Sequence, residues 1–515
     1  MSATSSIDDL PGEIRAVAEE ALVSAKEKPE IIDQLKRFLQ TQPEQTPALA
    51  SLIVLFLSFT VDKLLPIDPE SDSASFTREA KVALSELAFG YFCVRSVDDT
   101  VFGFEFNTTW PPAHTPLGIE LLERGLVQLT CKALSYIAKH VSREEQPAPQ
   151  KRSVGVVVHT LLSVLTIALF TPPGSHRIPE SISRGLLHSI IGLVGFEECD
   201  RLLDCTLRAI LGQSLVRPRV LAAVKEVFPE LCRLEADAGP AFRETSFFPL
   251  WEMFTEAMTH RVKVYERYMA GEFPVQKMCD NFKCSLIGKD TEFQRCSGCR
   301  LLTYCSLECQ KEDWLRGGHK KGCALLRPIA QAEANLDLSP EDRDFLRVVM
   351  DFDLHHSRVE LFNELVRAVG QPPYPEPVVY FNYFQPGNGE EITRMSGEPA
   401  PKGAISFCAG AAEGPLQSMI IHGAMGGFGE EGRVAWGEMV RRAKASGGRM
   451  VLDCAMFGGG SGFRPQIVLV PLRLREPLLP KIRGVARIQD ALNNGGSGLR
   501  SLRFEAFHGP SSEFH

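Results

Sequence analysis

Seven cysteines and one histidine follow the pattern Cys279-x4-Cys284-x11-Cys296-x2-Cys299-x5-Cys305-x3-Cys309-x9-His319-x3-Cys323. Zinc takes four thiolate or imidazole donors in a tetrahedron, so eight donors fill two sites with none left over. The cluster holds half of the 14 cysteines of the chain, and in a reducing compartment such crowding means metal rather than disulfide. The residues between the donors suit that chemistry. Cys296-Ser-Gly-Cys299 forms a knuckle in which Gly298 is expected to turn left-handed and let backbone N–H groups face the sulfurs. Cys305 with Cys309, and His319 with Cys323, are four apart, a spacing that puts both side chains on one face of a helix. Ser306 is expected to cap a helix that runs to Leu315 and stops at Gly317-Gly318, with Gln310 and Trp314 sharing a face.

The spacing, together with Tyr304-Cys-Ser-Leu-Glu-Cys-Gln-Lys-Glu-Asp-Trp314 and His319-Lys-Lys-Gly-Cys323, resembles the MYND zinc finger family. The resemblance implies alternating ligand pairs: Cys279, Cys284, Cys305 and Cys309 on one zinc, and Cys296, Cys299, His319 and Cys323 on the other. It also implies that Gln310 and Trp314 line a groove for short proline-containing peptides, which are already extended before they bind. The x4 gap between Cys279 and Cys284 is wider than the x2 common in the family, so the first knuckle needs a shape of its own.

Between Cys279 and Arg327 nine Lys and Arg face six acids, a surplus of three. Two zinc ions add four positive charges and seven thiolates add seven negative, so the segment is near neutral, whereas a finger that reads DNA is basic along one face. The whole chain, at net charge -8 and pI near 5.9, likewise lacks the surplus of Lys and Arg that nonspecific nucleic-acid or anionic-membrane binding requires. A protein or peptide partner is the expectation. Asp8 and Asp9 stand where a signal peptide would be basic and apolar, so an intracellular chain is expected.

The elements that must position the cluster differ on its two sides. From Gly12 to Ala270 apolar residues recur three and four apart, as in Gly118 to His140 and Arg217 to Leu234, predicting about ten helices. Unit lengths of roughly 35 to 45 residues suggest a stacked scaffold of armadillo type, without a recurring signature. The apolar runs Ala48 to Phe59 and Ser153 to Phe170 are read as buried helices rather than membrane spans. Beyond Pro340 to Val369, which stays helical, the prolines at 372, 373, 375 and 377 mark a change of pattern. Strands are predicted at Val378 to Phe384, Ala404 to Ala409, Ser418 to His422, Met450 to Phe457, Gln466 to Leu472 and Leu502 to Phe507, with one helix at Arg433 to Ala445. The expected organisation is multidomain: an all-α scaffold over 1–272, the finger over 273–327, a helical connector over 328–371 and an α+β domain over 372–515.

MYND fingers also occur in SET-type lysine methyltransferases. Gly389-Glu-Glu-Ile-Thr393 resembles the start of their C-terminal motif, but it continues Arg394-Met-Ser396 without the required tyrosine, and the chain has no Asn-His-x-Cys. Gly427-Phe-Gly-Glu-Glu-Gly432 matches the dinucleotide fingerprint by letter, yet two carboxylates would repel a phosphate there, so it reads as a flexible connection. Gly458-Gly-Gly-Ser-Gly462 reads as a turn. The expected function is that of a non-enzymatic adaptor with two Zn2+ ions, in transcriptional regulation or ubiquitin-ligase recruitment. The alternatives are an enzyme with its active site in the C-terminal domain, or a finger whose zinc is purely structural.

Overall fold

The computed structural model describes residues 116–140, 148–170, 175–196, 199–273, 276–284, 286–289, 292–334, 338–356, 365–366, 376–383, 406–411, 429–447, 450–457 and 466–473. The sequence readings for residues 1–115, including Ala48 to Phe59, lie outside these, as do Ser418 to His422, Leu502 to Phe507, Gly389 to Thr393 and Gly458 to Gly462. The described chain is mostly helical, with a small metal-type finger and short strands, and it divides into two compact units.

The first unit takes in Arg219–Met258 and everything described before Val216. Its helices are α1 (Pro116–Glu123), α2 (Leu126–His140), α3 (Ala148–Phe170), α4 (Ile178–Ser183), α5 (Leu186–Leu193), α6 (Asp200–Cys205), a π-helical turn over Thr206–Gly212, α7 (Pro218–Arg243) and the first part of α8 (Phe248–Met269). The single helix predicted from Gly118 to His140 is two, because Gly125 turns left-handed at φ +94° and breaks it. α2 and α5 pack closely: a Cβ on Gly192 would stand 2.7 Å from the Cβ of Ala138. α3 is the apolar run around Ser153 to Phe170, and two of its polar side chains find partners within the protein. Ser163 donates to the carbonyl of His159 (2.8 Å) and Thr166 bonds the Thr206 hydroxyl (2.9 Å). Among the described residues, no helix is long and apolar enough to cross a membrane.

The second unit takes in the rest of α8, from Thr259, and the described chain after it apart from Gly459–Arg464. Strand β1 (Gln276–Met278) pairs with β2 (Ile287–Lys289), and β3 (Gln294–Arg295) with β4 (Thr303–Tyr304), both antiparallel. Helices α9 (Leu307–Leu315), α10 (His319–Gly322), α11 (Arg327–Ala334) and α12 (Pro340–His356) follow. A four-stranded sheet then runs in the order β6 (Ser406–Ala411), β5 (Pro377–Asn382), β7 (Met450–Phe457), β8 (Gln466–Arg473), with α13 (Gly429–Ala445) between β6 and β7 in sequence. The β5–β7 pair is parallel and the outer pairs are antiparallel. These strands lie within two residues of four of the predicted runs. Gly429 to Gly432, the described part of the run read as a flexible connection, is helical instead: Gly429 opens α13 and Gly432 is buried in its first turn. Glu430 and Glu431 favour that turn by facing the positive end of the helix dipole.

One face of this sheet, carrying Val378, Tyr380, Leu452 and Cys454, shares a core with Trp436, Met439 and Val440 of α13 and with Cys296, Cys299, Leu302 and Leu326 of the finger region. The other face meets α12, where Tyr383 donates to Asp353 (2.8 Å) and Arg261 grips the same carboxylate with two bonds of 2.7 Å. Asp453 of β7 is buried at 4% exposure and its Oδ1 has no hydrogen-bond partner among the described residues. Burial, with the Asp351 charge beside it, pushes its carboxyl well above the usual range, and burial raises Asp351 to about 6. A carboxyl that holds its proton more tightly when folded costs stability as pH rises above the unfolded value of about 4. Asp453→Asn removes that charge, so it should stabilise the protein by about 1 kcal/mol or more at neutral pH, with the gain vanishing in acid. Urea unfolding at several pH values measures this, and equal stability at neutral pH would contradict it.

Candidate metal centre

Each donor pair is held by a different piece of local structure. The wide first gap closes as a turn on Asn281, whose carbonyl accepts from Cys284 N–H (2.8 Å) and whose Oδ1 accepts from Lys283 N–H (3.1 Å). The second pair forms the expected knuckle, but its left-handed residue is Arg300 (φ 58°) rather than Gly298. Gly298 is required for a different reason: a Cβ there would sit 2.7 Å from Cys323 Sγ. Burial alone would raise Cys296, but backbone N–H groups of Cys299 and Gly298 face its sulfur and bring it below the ordinary thiol value. Cys305 lies just before α9 and not on it. Ser306 is the N-cap, accepting from Cys309 N–H (3.3 Å), and this cap folds Cys305 back toward Cys309. His319 and Cys323 are joined by one helical turn, with Cys323 N–H donating to the His319 carbonyl (2.7 Å).

The eight donors assemble into two groups, Cys279, Cys284, Cys305 and Cys309, and Cys296, Cys299, His319 and Cys323, each with all ligand atoms within 4.8 Å of one another. This is the alternating use of pairs that the family resemblance implies. Tetrahedral zinc with its ordinary bond lengths sets two sulfurs about 3.8 Å apart and a sulfur and an imidazole nitrogen about 3.6 Å apart. The structure has Cys284–Cys305 at 3.6 Å, Cys305–Cys309 at 3.5 Å, Cys296–Cys323 at 3.8 Å and Cys299 Sγ–His319 Nε2 at 3.6 Å. Burial and the neighbouring sulfurs push Cys305 up to about 11 and Cys323 up to about 12, so these groups become thiolates only against a cation. Both donor sets fit zinc. The all-cysteine set is partly open, with Cys284 exposed, whereas all four residues of the histidine-containing set are buried.

Residues 278–323 match the family model described as the MYND finger. The segment is a MYND finger with two zinc sites. No curated protein and no solved structure matches the chain.

Around the MYND finger's histidine lies a network that spacing did not disclose. His319 turns Nε2 to the sulfurs and Nδ1 to the hydroxyl of Tyr304 (2.7 Å), which donates to Asp313 Oδ2 (2.6 Å). The 3.8 Å between His319 Nδ1 and Asp313 is spanned by that hydroxyl and is no direct bond. Asp313 is also bonded by Arg442 of α13 through Nη2 (3.2 Å), which donates as well to the Asp280 carbonyl (2.9 Å). Asp313 carried no signal that set it apart from Glu308 and Glu312 on the same helix. Arg442 carried none, because it is 129 residues from Asp313.

Gln310 and Trp314 are both half-buried on α9. Trp314 meets the His319 ring in a T-shaped contact at a centroid distance of 5.3 Å, packs against the core and stays partly exposed. Leu307, three residues before Gln310 and seven before Trp314, lies on the same face with 56% of its surface exposed.

Proposed function

We propose that this protein is an intracellular, non-catalytic adaptor whose MYND finger binds proline-containing peptide segments along Leu307, Gln310 and Trp314. The supporting observation is the placing of Trp314: its ring meets a zinc ligand at a T-shaped angle, it packs against the core that holds the finger, and part of it stays exposed. Zinc thereby makes a short surface helix into a rigid platform. The indole offers a flat apolar contact and an N–H donor, and Gln310 a donor and an acceptor for the backbone of an extended peptide. The helices before the finger, read as a scaffold of armadillo type, would present this platform to transcriptional or ubiquitin-ligase assemblies. The buried histidine-containing site supports a second, compatible reading in which that zinc holds the core together.

An array of proline-containing peptides probed with the full chain tests the platform. Trp314→Ala should weaken the bound peptides by about 2 kcal/mol or more, and Gln310→Ala should weaken them measurably, both at unchanged zinc content. Full affinity in both variants, or no peptide bound by the wild type, rejects the groove.

A further inference from the structure

We infer that Arg442, outside the MYND match, is a positioning residue for the histidine-containing zinc site, acting on His319 through Asp313 and Tyr304. With zinc on Nε2, Nδ1 must carry the proton, so His319 donates to Tyr304, Tyr304 donates to Asp313, and the carboxylate accepts from both Tyr304 and Arg442. Each hydrogen bond of the relay pairs one donor with one acceptor, and with zinc on Nε2 its direction is set. Tyr304, His319 and Arg442 have no exposed surface and Asp313 has 1%, so bulk solvent does not share in these bonds. The arginine is held there at a cost. Its Nε and Nη1 have no partner among the described residues, a loss only partly offset by the cation–π contact of its guanidinium over the Phe282 ring, 5.0 Å from the centroid. A long apolar side chain would fill the same space without orphaned donors, so the place of Arg442 is explained by what its Nη2 grips. Without it, Asp313 would be a buried charge lacking its counter-ion, and the ring orientation and basicity of His319 would lose their support.

The surrounding contacts confine α13 to this seat. Glu438 and Arg441 form a bidentate pair with bonds of 2.6 Å, and Glu438 lies against Gly322, between the ligands His319 and Cys323, so closely that a Cβ on Gly322 would overlap it. A helix from beyond the finger therefore completes the shell of the second zinc.

The test uses the full chain loaded with cobalt(II) and back-titrated with zinc, since an all-thiolate site and one with an imidazole ligand have different ligand-field bands. Arg442→Met should lower affinity at the histidine-containing site on the order of 10-fold or more, with a smaller change at the all-cysteine site. Tyr304→Phe, which removes one oxygen, should do the same, and adding Arg442→Met to it should have little further effect, because the relay is already broken. Should Arg442→Met not fold, Arg442→Lys, too short to hold Asp280 and Asp313 together, is expected to show the selective loss on a smaller scale. Equal weakening of both sites, unchanged affinity at the histidine-containing site, or full additivity with Tyr304→Phe overturns the assignment.

Discussion

Stripping the metal with a strong chelator should unfold the MYND finger outright and expose the face of α13 that packs on it. Structural zinc contributes roughly 10 to 16 kcal/mol in small fingers, more than the finger's short strands and helices could supply alone. Elemental analysis should first give two zinc ions per chain, because two complete donor sets are present. Release should then occur in two phases. The ion held by four cysteines goes first, since Cys284 is exposed, and the ion held by His319 and three cysteines follows, since its four ligands are buried. Acid acts in the same direction: thiols of the unfolded chain take up protons below about 8.5, whereas zinc holds the folded ones as thiolates. Stability provided by the metal is thus present at neutral pH and lost as pH falls. The helices of residues 116–215 and 219–258 form a separate unit, so much of the helical circular dichroism should survive the chelator. A single zinc per chain, or loss of all helical signal together with the metal, would refute this account.

How much of this was legible beforehand depends on the distance over which each residue acts. The ligand set, the cap at Ser306 and the end of α9 near Gly317-Gly318 are local, and ligand chemistry or turn chemistry within a few residues decides them. Even there the backbone found its own solution. Arg300 takes the left-handed turn assigned to Gly298, and Gly298 instead leaves room for Cys323 Sγ to approach. The strands Val378 to Phe384 and Met450 to Phe457 were readable as β-branched and aromatic runs, but their parallel pairing, Tyr380 opposite Cys454, leaves no trace in either segment. The glycines at 429 and 432 suggested a flexible connection, and the helix dipole together with burial of Gly432 prevailed. Arg442 could not be seen at all. On periodicity it is one more basic residue in the last turn of a helix, where Lys and Arg are ordinary. Only the folded chain shows that it is fully buried and bonded to Asp313.

Trp436→Ala is expected to weaken zinc retention from a position far outside the MYND match. Trp436 has no exposed surface, lies on α13, and belongs to one continuous core with Cys296, Cys299, Leu302 and Leu326 on the finger side and Val378 and Leu452 on the sheet side. Removing a fully buried aromatic side chain costs about 3–5 kcal/mol, part of it for the cavity left behind. Two groups of elements border that cavity, so both should lose stability. α13 would no longer be held rigidly against the sheet, and Arg442, six residues and nearly two turns along the same helix, would lose its fixed approach to Asp313. The variant should therefore unfold at lower urea than the wild type and release the zinc bound by His319 faster to a chelator, while Trp314, on the finger's outer helix, keeps its place in the folded fraction. Trp436→Phe, which keeps most of the volume, should recover most of both properties. Hydrogen exchange at α13 and chelator-driven zinc release, measured on the same samples, decide the matter. If exchange at α13 accelerates while zinc release stays at the wild-type rate, the finger does not depend on this helix for its hold on the metal.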